Sequence, residues 1–491
     1  MALERPSALL TDLYQLTMGQ AYRAAGIDDT EACFHLYFRA NPFGGGYTLA
    51  AGLDQVIEYL STASFDDDDI AFLAAQAGND GRPLFSLEYL AWLRQIEFTL
   101  DVDGVPEGTV VFPREPLLRV TGPLAQAQLV ETALLNIVNF QSLIATKAAR
   151  VCDAAQGDPV IEFGLRRAQG PDGGVSASRA AYVGGCTGTS NTLAGRLFGI
   201  PVTGTHAHSW VMVFDTEIEA FETYARVMPN NCTFLVDTYD TIEGVRNAIR
   251  VGRDLRDRGH QMIGIRIDSG DLAWFSKQAR RLLDEAGFED AKIVASNELD
   301  EATIVSLKDQ DARIDVWGVG TKLATAYDQP ALGGVYKLSA IRRPGEEWIP
   351  RVKVSEQTAK MTVPGLLGVR RYRAADRLDG DMIYDTRRPP GAHPVIVDPV
   401  DATRRKRFGP EDRFEELLVP VVRGGRIVYD RPPLAAIRDR SISELASLDP
   451  SVRRFLNPHE YPVGLEQGLH AERMRLVVEA KGLEGADDIV P

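Results

Sequence analysis

Cysteine is scarce: the 491 residues hold four, Cys33, Cys152, Cys186 and Cys232. No two form a C-x-x-C pair, which excludes a disulfide framework and a thiolate zinc site and leaves reduced, mostly buried thiols as the expectation. Positive charge is also short. Lys plus Arg number 54 against 69 Asp plus Glu, a net charge of −15, so neither nucleic acid nor an anionic membrane is the expected partner. An anionic ligand would need a local basic pocket. The one basic run, Arg404-Arg405-Lys406-Arg407, lies among Asp398, Asp401, Glu411 and Asp412 and reads as a solvated loop. No apolar run approaches membrane-spanning length, and the "SALL" after Pro6 is too short for the core of a signal peptide, so a cytoplasmic protein is expected.

What is present is an ordinary globular composition, 44% hydrophobic and 25% charged, on a chain long enough for two or three domains. Residues 1–125 mix helical spacing ("LLTDLYQLTMGQAYRAAG") with alternation ("EACFHLYFRA") and read as an N-terminal α+β domain. Within residues 126–350 a rhythm sets in: short apolar strands end at Gly164, Asp237, Asp268, Asn297 and Thr321, with helical stretches between. Asp237 and Asp268 are 31 positions apart, Asp268 and Asn297 29. Strand–helix units of about thirty residues indicate a parallel sheet and, repeated, a (β/α) barrel. Residues 351–491 break into strands rich in Arg, Pro and Gly and then helices, read as an appended C-terminal module packing back on the N-terminal domain.

In a barrel, polar residues at the carboxyl ends of strands face the active site. Asp237, Asp268, Asn297 and Thr321 then share a rim, and His260 lies on the opposite face. "GVGTK" (Gly318, Gly320, Thr321, Lys322) offers backbone N–H groups and a lysine as a phosphate cradle, and "GGVYK" adds Lys337. "RIDSGD" gathers Arg266, Asp268, Ser269, Gly270 and Asp271; Ser269 or Asp271 suits the N-cap of the next helix, while Arg266 and Asp268, two apart on a strand, share a face. Of Arg166 and Arg167 in "EFGLRR", one at most faces the pocket, where a guanidinium suits a carboxylate or phosphate. "GTHAHSW" sets His206 and His208 two apart. Metal ligation, one reactive imidazole, or packing of both are all open from these residues alone.

Seven segments, "TDLYQLTM" (11–18), "NPFGGGY" (41–47), "EFGLRRAQGPDGG" (162–174), "GTHAHSW", "IRIDSGD", "GVGTK" and "NPHEYPVGL" (457–465), together resemble the signatures of the nicotinate phosphoribosyltransferases, in order and over nearly the whole chain. The resemblance implies an incomplete barrel of the type II phosphoribosyltransferase kind and a homodimer with active sites at the interface. It implies synthesis of nicotinate mononucleotide and pyrophosphate from nicotinate and phosphoribosyl pyrophosphate, with Mg2+ present and ATP hydrolysis coupled through a phosphohistidine. His208 then matches the phosphate acceptor. Tyr14 resembles the aromatic stacking on the pyridine from the partner subunit, and Phe163 the opposite face. Thr205 and Arg266, with Arg166, resemble nicotinate-binding positions, and Asp237 and Asp268 would lie near the ribose. Ser269, Gly270, Gly318, Gly320, Thr321, Lys322 and Lys337 complete the ribose and phosphate set. No residues are assigned to magnesium, and no Walker-type motif marks an ATP site.

Rival readings are a nicotinamide phosphoribosyltransferase, a metal-dependent barrel hydrolase, and a non-catalytic ligand sensor. The first needs a carboxylate to accept the amide N–H2, and "GGCTGTSN" has Thr187 where one is wanted, which favours the acid substrate.

Overall fold

The computed structural model describes residues 7–357 and 360–482. The chain forms two compact units, one of residues 1–143 with 331–491, the other Ile144–Pro330. The sequence pattern alone sets boundaries near 125 and 350. The divisions fall where they do because Gly334–Arg342 pairs antiparallel along Glu31–Phe38, setting Lys337 opposite His35. Tyr336 fixes this strand by donating its hydroxyl to Ala127 O at 2.7 Å.

The first unit carries a seven-stranded antiparallel sheet in the order Ile349–Pro350, Gly334–Arg342, Glu31–Phe38, Leu118–Pro123, Asp101–Gly104, Val419–Arg423, Arg426–Ile427. The late strand Val419–Arg423 thus pairs with the early strand Asp101–Gly104. A six-stranded sheet from the last third of the chain centres on the hairpin Leu367–Ala374 and Arg377–Asp385. Its apolar face buries Tyr372, Met382, Tyr384, Ile396 and Phe408. The basic run is a strand here, not a loop: Arg405–Arg407 pairs with Val395–Val397. The alternation that hid it puts Arg405 and Arg407 outward, while Lys406 bonds Asp379 and Arg404 reaches Glu460, both at 2.6 Å.

The second unit is a sheet of six parallel strands in the order Gly188–Thr189, Val160–Glu162, Val316–Val319, Lys292–Ala295, Gly264–Ile267, Thr233–Leu235. Central strands such as Val316–Val319 are apolar and largely buried, as a sheet covered on both faces requires. The connecting helices obey the same logic. Thr241–Asp257 is capped by Asp240, whose carboxylate accepts the Glu243 N–H at 2.8 Å, and buries Val245, Ala248, Ile249 and Leu255 along one stripe. Among the described residues no helix is long and apolar enough to cross a membrane.

Candidate active site

Parallel pairing aligns the carboxyl ends of the strands, and the polar side chains there converge. Arg266 and Asp268 share one face around the end of Gly264–Ile267, and Ser296, just past the neighbouring strand, lies beside Asp268. Arg266 donates from Nε to Ser296 Oγ at 2.8 Å, from Nη1 to Thr205 Oγ1 at 3.0 Å and from Nη2 to Asp268 Oδ1 at 3.0 Å. Its guanidinium carbon lies 5.6 Å from the centre of the Phe163 ring. Ser296 in turn donates to Asp268 Oδ1.

Asp237 closes the other side. Its side chain is almost wholly buried, and Oδ2 accepts the Asp268 N–H at 2.8 Å and the Ser269 hydroxyl at 2.6 Å. Its Oδ1 is buried with no hydrogen-bond partner. His208, the first residue of the short helix His208–Met212, stands over this pair: Nε2 is 3.7 Å from Asp268 Oδ2 and 3.9 Å from Asp237 Oδ1, and Nδ1 is 3.1 Å from Thr238 Oγ1.

His206 has a different fate. It is buried among Phe221, Tyr224 and Phe234, accepts the Leu235 N–H at Nε2 (3.2 Å) and sets Nδ1 against Ala207 O (3.4 Å). Burial, with Arg266 and His208 nearby, pushes its pKa down to about 4, so near neutral pH it is an uncharged packing residue. Of the pair, the half-buried His208 alone has a ring nitrogen facing the strand-end carboxylates.

The glycines have specific work. A Cβ on Gly318 would stand 2.6 Å from the Phe163 ring, so its absence makes room for the aromatic. Gly270, at φ +75°, turns the chain so that Asp271, rather than Ser269, caps the next helix by accepting the Trp274 N–H at 3.0 Å. Gly320 comes within 3.3 Å of Phe163 O by the same measure and leads into the short helix Thr321–Ala324. Lys322 does not stand free in this loop: its ammonium is 2.6 Å from Asp300 Oδ2, and that contact raises its pKa.

Arg166 and Arg167 are both exposed, in a 3-10 turn beyond Val160–Glu162. Thr187 precedes its strand, donating to Val160 O at 3.1 Å; the residue at the carboxyl end of that strand is Ser190. Tyr14 and Lys337 belong to the first unit: Tyr14 is half exposed on Leu13–Ala24, and burial lowers the pKa of Lys337. In the same unit Arg39 and Arg114 line a cavity of about 1010 Å³ bounded by parts of "NPFGGGY" and "NPHEYPVGL". Arg39 Nε is buried without a partner, and Arg114 holds φ at +74°.

Several of these residues escaped the sequence reading. Ser296 and Thr238 each adjoin a strand-end residue that it singled out. Buried Glu162, accepting from Gly164 N, Ser178 Oγ and Thr189 Oγ1, ties together the turn that carries Phe163. Strand alternation was the available signal for Ser296; the others depend on contacts distant in sequence.

A parallel α/β sheet whose carboxyl-end tips gather a guanidinium, two carboxylates and an imidazole defines an α/β enzyme with a small-ligand site at the strand ends. Residues 159–350 match the nicotinate phosphoribosyltransferase (NAPRTase) family, and residues 9–139 and 369–473 match its N-terminal and C-terminal domains. The nicotinate phosphoribosyltransferase of Bacillus subtilis (strain 168) is 44% identical over 479 residues, 96% of each chain. That of Homo sapiens is 36% identical over 534 residues, again 96% of each. The crystal structure of human nicotinic acid phosphoribosyltransferase superposes with a TM-score of 0.82 at 33% identity, covering 94% of this chain and 99% of that one. The chain belongs to the nicotinate phosphoribosyltransferase family.

Proposed function

We propose that the strand-end cluster is where this enzyme of NAD salvage joins nicotinate to phosphoribosyl pyrophosphate. The pyridine nitrogen forms a bond to C1 of the ribose as the bond from C1 to pyrophosphate breaks, giving nicotinate mononucleotide and pyrophosphate. The observation that carries this reading is the convergence of Arg266, Asp268 and His208 at one set of strand ends in a chain of this family.

Phe163 supplies an aromatic face for the pyridine, and Arg266, with Thr205 beside it, takes the nicotinate carboxylate. Exposed Arg166 is a further guanidinium for that anion. Asp268 and Asp237 hold ribose hydroxyls and favour the cationic sugar that develops as pyrophosphate departs. Ser269, Gly270, Gly320, Thr321 and Lys322 line the ribose and phosphate side, while Gly318 acts through the room it leaves for Phe163; Asp300 must release Lys322, or share it, for the ammonium to meet a phosphate. Arg39, Arg114 and Lys337 in the first unit are suited to anionic groups as well.

His208 is the residue for ATP coupling. A ring nitrogen attacks the γ-phosphorus, the bond to ADP breaks, and the phosphohistidine is later hydrolysed. The donor set fits magnesium: buried, unpartnered Asp237 Oδ1 and partly exposed Asp268 Oδ2 are the hard oxygen atoms that would hold it. When bound, it would offset the charge of the phosphates.

The unit of function is a cytoplasmic homodimer of incomplete barrels. Met212, Val213, Tyr239, Trp274 and Tyr327, on segments that follow the strands, are exposed apolar side chains that a second copy would cover, and Tyr14 is exposed enough to be offered to a partner. The match of three family segments along the chain favours the transferase over the hydrolase alternative.

The test is incubation of the full chain with phosphoribosyl pyrophosphate, ATP, magnesium and either nicotinate or nicotinamide, following mononucleotide formation. Product from the acid and little from the amide is expected. Rapid product from the amide alone would reverse the substrate assignment.

A further inference from the structure

The Arg266 guanidinium has five N–H groups. Three are committed, to Ser296, Thr205 and Asp268, which leaves two for a ligand. Which two they are depends on how the guanidinium plane is held, and the hold at Nε comes from one hydroxyl. Ser296 is 3% exposed, its own N–H is fixed on Ile267 O at 3.0 Å, and its Oγ accepts from Arg266 Nε while donating to Asp268 Oδ1. Hydroxyl and carboxylate therefore present joined acceptors to adjacent nitrogens of one guanidinium.

A second observation lies at the same place. Asn297, next in the chain, sits at φ +115°, a conformation costly for any residue but glycine. The backbone thus turns sharply just after the hydroxyl. Past the turn, Asp300 caps the helix Glu301–Asp309 and binds Lys322. A strained turn kept at this point indicates that the position of the strand end matters more than its relaxation.

We propose that Ser296 is a positioning residue for nicotinate capture: its hydroxyl fixes the rotation of Arg266 so that the two uncommitted N–H groups face the carboxylate together. The inference rests on the reading of Arg266 as the nicotinate carboxylate ligand. Removing the hydroxyl leaves a buried Nε–H without an acceptor and lets the guanidinium turn to recover one, misaligning the pair offered to the ligand. Nicotinamide, with one neutral carbonyl acceptor in place of two charged oxygens, makes no ion pair with Arg266 and depends far less on that rotation.

The experiment measures binding of nicotinate and of nicotinamide to the full chain by calorimetry for wild type, Ser296→Ala, Ser296→Cys and Arg266→Gln, alongside thermal melting. Ser296→Ala is expected to weaken nicotinate by about tenfold or more while nicotinamide stays within roughly threefold of wild type. Ser296→Cys, which retains a weak acceptor, falls between, and it carries the test if the alanine variant does not fold. Equal weakening of both pyridines by the serine variants, or no weakening of either, overturns the proposal. If Arg266→Gln leaves nicotinate binding unchanged, the pocket reading itself falls and the proposal with it. Loss in Arg266→Gln without loss in the serine variants overturns the role of Ser296 alone.

Discussion

Two imidazoles two residues apart do opposite things because one is buried in an apolar, aromatic setting and the other faces carboxylates. For His206 the folded protein lowers the pKa from its ordinary value near 6.5 to about 4, so its neutral form is favoured by folding. That contribution is complete above the unfolded value and is lost as pH falls from 6.5 toward 4, in all about 3 kcal/mol. His206→Gln is expected to melt lower than wild type at neutral pH but to lose less of its stability on acidification; parallel melting curves across that range would contradict the assignment. His208 belongs to chemistry instead. His208→Ala should abolish acid-labile phosphoryl labelling by ATP while slow ATP-independent transfer persists, whereas His206→Gln keeps its label. Labelling retained in the alanine variant would refute the phosphohistidine. The spacing of the pair does not divide it, and only the family resemblance singles out His208, since the aromatic cage of His206 comes from residues 221–234 and the carboxylates facing His208 come from two different strands. Arg266, Asp268 and Asp237 were legible because strand ends in a parallel sheet share one side. Ser296 was not, being an ordinary residue type whose meaning lies in its neighbour across the sheet.

At the scale of the element, the strand ending in Val319 illustrates how a glycine serves a pocket indirectly. Gly318 reads in sequence as part of a phosphate loop, yet in the structure its bare Cα admits the Phe163 ring. Gly318→Ala places a methyl 2.6 Å from that ring, so the ring or the strand must shift to admit it. The expected cost is about 1–3 kcal/mol of stability, with a rise in nicotinate KM larger than any change in the KM of phosphoribosyl pyrophosphate. A phosphate-site role for Gly318 predicts the reverse order of effects, so steady-state kinetics on both substrates separates the two. The parallel strands were largely readable, because buried apolar runs alternating with capped amphipathic helices leave a strong period. Gly188–Thr189 was missed for being two residues long. The strand Gly334–Arg342 falls within the barrel region of the sequence pattern because antiparallel pairing with residues 31–38 leaves no local trace.

At the scale of the whole chain, a buried charge cluster holds early and late sequence together inside the first unit. Arg371, with no exposed surface, bonds Asp381 through Nη2 at 2.6 Å and Glu444 through Nη1 at 2.9 Å, and the Tyr461 hydroxyl donates to Asp381 at 3.0 Å. Fully buried Glu115, from the early part of the chain, faces the same aspartate. Glu444 is shared with Arg373 at 2.8 Å, whereas Arg371 is the guanidinium beside the two buried carboxylates Asp381 and Glu115, and burial together with the charge of Asp381 holds the Glu115 pKa well above the usual range. A proton on Oε1, which otherwise lacks a partner, can be donated toward Asp381. The folded state therefore binds this proton more tightly than the unfolded chain. Its stabilising effect is complete below the unfolded glutamate value and disappears as pH rises through the higher folded one. Glu115→Gln, which carries a permanent donor in nearly the same shape, should match wild type at acid pH and surpass it as the medium becomes alkaline. Melting temperatures of the two proteins taken along a pH series test this directly: a difference that does not grow with pH would mean Glu115 is ionised in the fold and that its charge is balanced by Arg371 after all.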